Sequence, residues 1–533
     1  MISVICRRFP NYILQKISSV DFYESIEKEI KSGRIRSKTD LEAAKMRIAK
    51  EMKLDWIPGD TEILNSSSFN EKEREFLRIK NTRTISGVAV VAAMTSPENC
   101  PHGKCIYCPG GEENNSPQAY TGYEPAALRG RNHNYEPYEI VFNRLKQLET
   151  IGHDTSKVDL IVMGGTFTAR PIEYQQAFIK GCLDGMNGRI SESIDDSISI
   201  NEKAARRCVG LTVETKPDWF LEKQIDLALD YGTTKVELGV QNLNEKILRM
   251  NNRGHGIREI VRSTQLSKDA ALKIVYHVMP GMYGSSISDD KKSFDRMITC
   301  EAYKPDMLKI YPTLVVKGTS LYRLWKSGKY EPMDTEEAVD TIAYFLSRMP
   351  PWIRVQRMQR DIPVQFIEAG VKRSDIRNLI DLRLREMGLV TNEIRSREVG
   401  SIFNENINLD MKRADYNASQ GKEVFLSYET DEGYIAGFIR LRKPSRKAHR
   451  NDISDSGLVR EIKVFGQAVP VGSNSEGKWQ HRGIGRDLLS EAERITRDEF
   501  RLDRINVISG IGVREYFKKL GYSRNGPYMS KNL

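Results

Sequence analysis

Cys100-Pro-His-Gly-Lys-Cys105-Ile-Tyr-Cys108-Pro-Gly-Gly is the stretch on which the reading of this chain turns. Three of the seven cysteines crowd into it. Thiolates set this close bind an iron–sulfur cluster or zinc. An odd cysteine count with such crowding argues against a disulfide framework and for a metal site in a reducing compartment. His102 is available as a fourth ligand to zinc. Three thiolates with no partner cysteine after them suit a four-iron cluster in which one iron carries no protein ligand.

The flanking sequence places this loop. Short apolar runs at Gly87–Ala93, Asp159–Met163, Val209–Glu214, Lys235–Leu238, Lys273–Val278 and Met307–Tyr311 read as strands. Amphipathic stretches at Tyr138–Thr150, Ile172–Asp184, Leu221–Tyr231 and Ile257–Ala270 lie between them and read as helices. Strand–helix alternation over about 81–345 predicts an α/β fold of parallel units closing into a full or partial barrel. Chemistry in such barrels sits at the C-terminal strand ends. The cysteine loop follows the first strand. Met163-Gly164-Gly165-Thr166 ends the second, where a Gly-Gly pair lets backbone approach a ligand, although such a pair is more often only a turn. Glu214 ends the third strand, placed to accept hydrogen bonds from a ribose, and Gly239-Val240-Gln241 ends the fourth.

The rest of the 533 residues exceeds one ordinary core, so two or three domains are expected. Residues 1–80 read as a small charged helical module with apolar spacing at Leu41, Ala44, Ile48 and Met52. Residues 346–400 read as a basic linker. From 401 a second α/β segment begins, with strands at Glu423–Thr430, Tyr434–Arg440 and Val459–Phe465. In it Gln480-His-Arg-Gly483-Ile484-Gly485 feeds a helix from Arg486 to about Arg497. A glycine turn entering a helix presents free N–H groups to a pyrophosphate. Composition, with 39% hydrophobic and 29% charged residues, is that of a soluble protein. No apolar run is long enough to span a membrane, and Met1–Arg8 lack the order of a secretory signal; a cytoplasmic protein is expected. A net charge of +10 suits a polyanionic partner or simply a basic surface.

The Cys105-Ile-Tyr107-Cys108 pair matches the radical S-adenosylmethionine pattern, whose first two cysteines usually have three residues between them in place of the four found here. The Q-x-x-G-x-G turn resembles the acetyl-coenzyme-A loop of GNAT acetyltransferases. Together with Ser116-Pro-Gln-Ala-Tyr-Thr-Gly-Tyr-Glu-Pro, Val162-Met-Gly-Gly-Thr-Phe, Leu211-Thr-Val-Glu-Thr-Lys-Pro-Asp and Gly526-Pro-Tyr-Met, these words cover nearly the whole chain. It resembles the catalytic subunit of Elongator, a tRNA-modifying acetyltransferase family.

That resemblance implies a partial (β/α) radical S-adenosylmethionine barrel fused to a C-terminal GNAT domain at 401–533, behind a helical tRNA-binding module. It implies a [4Fe–4S] cluster on Cys100, Cys105 and Cys108, and S-adenosylmethionine at Met163, Gly164, Gly165, Thr166, Glu214 and Gln241. Acetyl-CoA is implied at Lys157, Arg460, Glu461, Ile462, Lys463, Gln480, Gly483, Ile484, Gly485 and Tyr516, with Tyr516 and Lys157 in catalytic roles. Read from the residues alone, Tyr516 is equally a packed helix aromatic and Lys157 an ordinary lysine before a strand. The implied reaction is carboxymethylation of the wobble uridine of tRNA at C5; the alternative is a protein lysine acetyltransferase with the barrel as scaffold. Arg354, Arg357, Arg360, Arg442, Lys443, Arg446, Lys447 and Arg450 are the candidates for tRNA, gripping phosphates rather than reading bases. A homo-oligomer or accessory subunits would fit such an enzyme, and a membrane would not. Lys463 and Phe465 stand where relatives commonly have His and Tyr, and Phe517 where they have a second tyrosine. Thr391–Ser396 lacks the cysteines that many relatives carry there, so no linker zinc site is expected.

Overall fold

The computed structural model describes residues 10–52, 54, 57–66, 69–70, 73, 77, 87–399, 408–465 and 483–533. The chain forms two compact units, Met1–Ala89 with Asn143–Thr155, and Val90–Phe142 with Ser156–Leu533.

The first unit is helical, with helices at Pro10–Lys31, Lys38–Glu51 and Asp60–Ser66. Ser37 starts the second by accepting the Asp40 N–H, the bond an N-cap serine supplies. Leu41, Ala44 and Ile48 recur at helical spacing and pack on Phe22, Ile26, Ile30 and Ile63. Lys45 is buried beside them and pairs with Asp60 at 2.8 Å.

The second unit holds two seven-stranded sheets. The first runs β1 (Ala89–Met94), β2 (Lys157–Met163), β3 (Arg207–Thr215), β4 (Lys235–Gln241), β5 (Lys273–Val278), β6 (Met307–Ile310) and β7 (Arg354–Arg357) in chain order. Pairing from β2 to β7 is parallel, which makes a half-barrel. Strand alternation explains its two faces. In β2, Val158, Leu160 and Val162 are fully buried, while Lys157, Asp159, Ile161 and Met163 are only half-buried on the other face. Asp159 reaches over β3 to Lys235 on β4 at 3.2 Å. It passes above Gly210, where a Cβ would come within 2.9 Å of the carboxylate. The concave face is therefore polar.

The second sheet runs β8 (Asp410–Ala418), β9 (Gly421–Glu429), β10 (Ile435–Lys443), β11 (Gly457–Val464), β12 (Arg504–Ile508), β14 (Tyr528–Asn532) and β13 (Ser523–Asn525). It is antiparallel except at β11 and β12, which pair in parallel at Gly457, Leu458 and Val459. Beyond them, among the described residues, β11 pairs only with β10, so these two strands part like a fork. The helix Ile484–Arg494 packs over the sheet through Ile484, Leu488, Leu489 and Ala492 and ends in a π turn, Ile495–Glu499.

The two sheets meet through charge. Arg460 donates to Asp306 at 2.8 Å and Arg442 to Asp269 at 2.6 Å. Glu423 accepts from both arginines, at 3.1 and 2.9 Å. Arg442, Arg460 and Asp306 are fully buried and Asp269 and Glu423 nearly so. Gly510 and Gly512 lie against Val209 and Arg207 at the start of β3, too close for any Cβ.

Two expectations change here. The stretch 346–400 is not a plain linker: it supplies β7 and the helix Ile376–Glu386. Arg354 and Arg357 disguised that strand, because its side chains border a polar concave face instead of an apolar core. The strand β8 had no signal either; at the sheet edge, half its residues are exposed and polar.

Candidate active site

The cysteine loop lies at the C-terminal ends of the barrel strands. Cys105 and Cys108 are buried and Cys100 is half-buried. Cys105 Sγ lies 3.2 Å from Arg253 Nη1 and 3.2 Å from His102 Nε2. The Lys216 ammonium donates to His102 Nδ1 at 2.9 Å, which leaves the imidazole proton on Nε2, facing the sulfur. The hydrogen bond from Cys108, with Arg253 and His102 beside it, holds the Cys105 thiol well below the usual thiol range. Burial pushes Cys100 up, and Cys108 is raised by its bond to Cys105 and by burial. Thr166 Oγ1 lies 3.4 Å from Cys100 Sγ.

A cavity of about 110 Å³ opens beside the loop. Cys108, Met163, Glu214, Gln241, Arg357 and Arg360, all singled out in the sequence, line it. Glu214 accepts from the Tyr120 hydroxyl at 2.6 Å and from the Gly164 and Gly165 N–H groups at 3.3 and 3.5 Å. A Cβ on Gly164, whose φ is +146°, would overlap the Thr95 hydroxyl. Gln241 is held at φ +69°, uncommon for a side-chain-bearing residue and frequent where a site dictates the backbone. Its Oε1 is buried without a partner, as is Arg253 Nε. Three converging thiols, one held well below the usual thiol range, with an arginine beside them, suit a thiolate-bound iron–sulfur cluster. The two orphaned polar atoms and the glycine backbone suit a polar ligand next to it.

Sequence reasoning missed the polar residues on the strands themselves. His277 Nε2 lies 2.9 Å from Glu237, and Lys309 pairs with the same carboxylate. The Lys309 ammonium and the hydrogen bond from His277 outweigh burial and hold Glu237 far below the usual carboxylate range. His277 Nδ1 is 3.8 Å from Glu214, which links this cluster to the cavity. Charged residues inside strands look like breaks in an apolar pattern, and only the concave face makes sense of them.

The acetyl-CoA candidates gather at the fork. Gly483 starts the helix at φ +77°. A Cβ on Gly485 would touch Val464 at 3.5 Å, the Tyr516 hydroxyl at 3.8 Å and Ile462 at 4.0 Å. Ile484 is buried in the sheet's core. Burial pushes the half-exposed Tyr516 up. Lys157 pairs with Arg207, the residue on which Gly512 packs, so β2 begins on the fork's side of the barrel. Burial and the neighbouring Arg354 guanidinium push Lys463 down to about 8. The Arg460 guanidinium is spent on Asp306 and Glu423, which leaves its backbone as the part a ligand could use. Glu461 likewise accepts from Arg440 at 2.8 Å. Gln480 lies outside the described residues.

The tRNA candidates divide. Arg446 and Lys447 are exposed. Lys443 is exposed but donates to the Phe500 carbonyl at 2.8 Å. Arg450 pairs with Asp226 at 2.7 Å and Asp452 at 2.8 Å, and Arg354 with Glu398 at 2.7 Å. Arg357 pairs with Asp361, and Arg360 donates to the Ala119 carbonyl at the cavity wall. Arg442 is corrected: fully buried between Asp269 and Glu423, it has no face for a phosphate. Among the described residues no helix is long and apolar enough to cross a membrane.

Comparison with known proteins agrees with this division. Residues 94–297 match the radical SAM superfamily and residues 305–386 a radical SAM C-terminal domain. The first match implies S-adenosylmethionine and a four-iron cluster. The chain is 47% identical to the tRNA uridine(34) acetyltransferase of Methanocaldococcus infernus over 96% of its own length and 98% of that protein's. It is 41% identical to Elongator complex protein 3 of Schizosaccharomyces pombe, over 93% and 94% of the two chains. The solved structure of the archaeal Methanocaldococcus infernus Elp3 lacking residues 1–46 superposes with a TM-score of 0.75 at 45% identity, over 84% of this chain and all of that one.

Proposed function

The chain belongs to the tRNA uridine(34) acetyltransferase family, which includes the Elongator complex protein 3 chains, and from that premise we propose that it adds a carboxymethyl group, drawn from acetyl-CoA, to C5 of the wobble uridine of tRNA. The observation that carries the reading is the pairing within one compact unit of a thiol triad at the strand ends and a forked sheet with its glycine-capped helix. Cys100, Cys105 and Cys108 would hold a four-iron cluster, which with S-adenosylmethionine bound would supply a radical able to take a hydrogen atom from the acetyl methyl group.

The chain's own residues do the rest. Arg253 and His102 donate toward the Cys105 sulfur and stabilise its negative charge. Glu214, its position fixed by Tyr120, accepts hydrogen bonds from a ribose in the cavity. Among the described residues, the fork between β11 and β12 leaves one backbone edge of residues 460–464 without a strand partner, the edge that would pair with the pantetheine arm. Gly483, Ile484 and Gly485 offer N–H groups to the pyrophosphate. The Tyr516 hydroxyl, neutral at physiological pH, stands beside Gly485 to hold a proton at the thioester. Lys157, Asp159, Ile161 and Met163 line one face of β2, over a rise of about 20 Å, from the acetyl side to the cavity. Arg446 and Lys447 are free to meet tRNA phosphates.

Replacing Cys105 and Cys108 together by alanine tests this. Loss of cluster absorbance and of uridine modification is expected. Acetyl-lysine formation that survives in the double variant, with no tRNA modified by the wild type, would make the chain a protein acetyltransferase instead.

A further inference from the structure

At the rim of the cavity an aromatic pair stands half in water. The rings of Tyr123 and Phe366 stack with centroids 4.1 Å apart and planes 18° from parallel. Tyr123 is 43% exposed. Both rings are tied to the cavity wall by their own chain segments. Glu124, next to Tyr123, lines the cavity and accepts the Thr121 and Gly122 N–H groups at 2.9 and 3.1 Å, which pins the turn carrying the tyrosine. Phe366 closes the turn Val364–Phe366, just after Arg360 and Asp361 of the wall. The Arg131 guanidinium carbon lies 5.4 Å from the Tyr123 ring centre.

The exposed Tyr123 ring, stacked on the half-buried Phe366, forgoes burial that a core would give it. Basic groups for a phosphate chain stand nearby: Arg131 over the tyrosine, and on the cavity wall Arg360 and Arg357, the latter paired with Asp361. A base that enters a pocket must leave its neighbours' stack, and the unstacked neighbour then needs a new surface. Exposed aromatic faces serve any base in this way, because every base has a π face.

We infer that the Tyr123–Phe366 pair is a stacking site for the single-stranded RNA base next to the one that enters the cavity. The inference rests on the RNA-modifying function proposed above. It assigns the pair a positioning role, outside the radical chemistry and the acetyl site.

The test uses the full chain and an anticodon stem-loop RNA with 2-aminopurine placed on either side of the wobble uridine in turn. Wild type is expected to quench the fluorescence at one flanking position. Tyr123→Ala should release that quench and weaken binding about tenfold, while Tyr123→Phe keeps both and Phe366→Ala behaves as Tyr123→Ala. An unchanged quench and affinity in Tyr123→Ala overturns the inference. So does equal loss in Tyr123→Phe, which would assign the effect to the hydroxyl instead of the ring. A wild-type chain that does not bind the stem-loop at all would instead refute the RNA-modifying function itself.

Discussion

Arg253 shows how single residues set up this site. It gives one guanidinium nitrogen to the Cys105 sulfur and another to the Gly239 carbonyl at 2.5 Å. A lysine keeps the charge but not the fork. Arg253→Lys should lower cluster retention by about 10–100-fold, read as iron per protein after gel filtration, with little change in acetyl-CoA binding. Lys463 carries a pH prediction. Its folded value of about 8 lies below the usual lysine value, so it is cationic at pH 7 and discharged by pH 9. Acetyl-CoA turnover should therefore bend near pH 8 in wild type, and Lys463→Met should lack that bend. Legibility differs sharply between such residues. Cys105, Glu214 and the Gly-Gly pair were readable because spacing and strand ends mark them. Arg253, His277 and Lys309 were not, because their roles depend on which strand lies beside theirs. Arg442 misled for the same reason: a basic residue looks solvated until its carboxylates arrive from a neighbouring strand, Glu423, and from the barrel's helix end, Asp269.

At the scale of elements, the barrel strands from β2 to β6 announce themselves through apolar runs of the right length. The strand β7 does not, since two of its four residues are arginines serving the concave side. The fork in the second sheet is also silent in sequence, for it arises from where β11 stops pairing, not from any residue type. The contact between the sheets likewise gives no sign in sequence, but it demands a glycine. Gly510 lies against the Val209 backbone, where a methyl group has no room. Gly510→Ala should cost about 1–3 kcal/mol, measured by urea unfolding. A change below ~0.5 kcal/mol would mean that this contact is not formed.

Over the whole second unit, buried ions join barrel to acetyl domain. Arg460 lies between Asp306 and Glu423, and Lys268 stands 3.6 Å from both carboxylates. Removing one partner from such a set strands the others in low dielectric. Arg460→Met should cost about 3–5 kcal/mol, seen as a lowered unfolding midpoint, whereas Arg446→Met at the exposed surface should change it little. The same network suits the chemistry proposed above, in which a carbon would pass from one sheet's domain to the other and a loose joint would misplace it.

The most direct measurement of the central claim follows that carbon. The anaerobically reconstituted enzyme is given S-adenosylmethionine, tRNA and acetyl-CoA labelled with carbon-13 in both acetyl carbons, and the tRNA nucleosides are weighed by mass spectrometry. The account predicts a carboxymethyl group on the wobble uridine carrying both labelled carbons. A wobble uridine left unmodified while the label appears on lysine would contradict it.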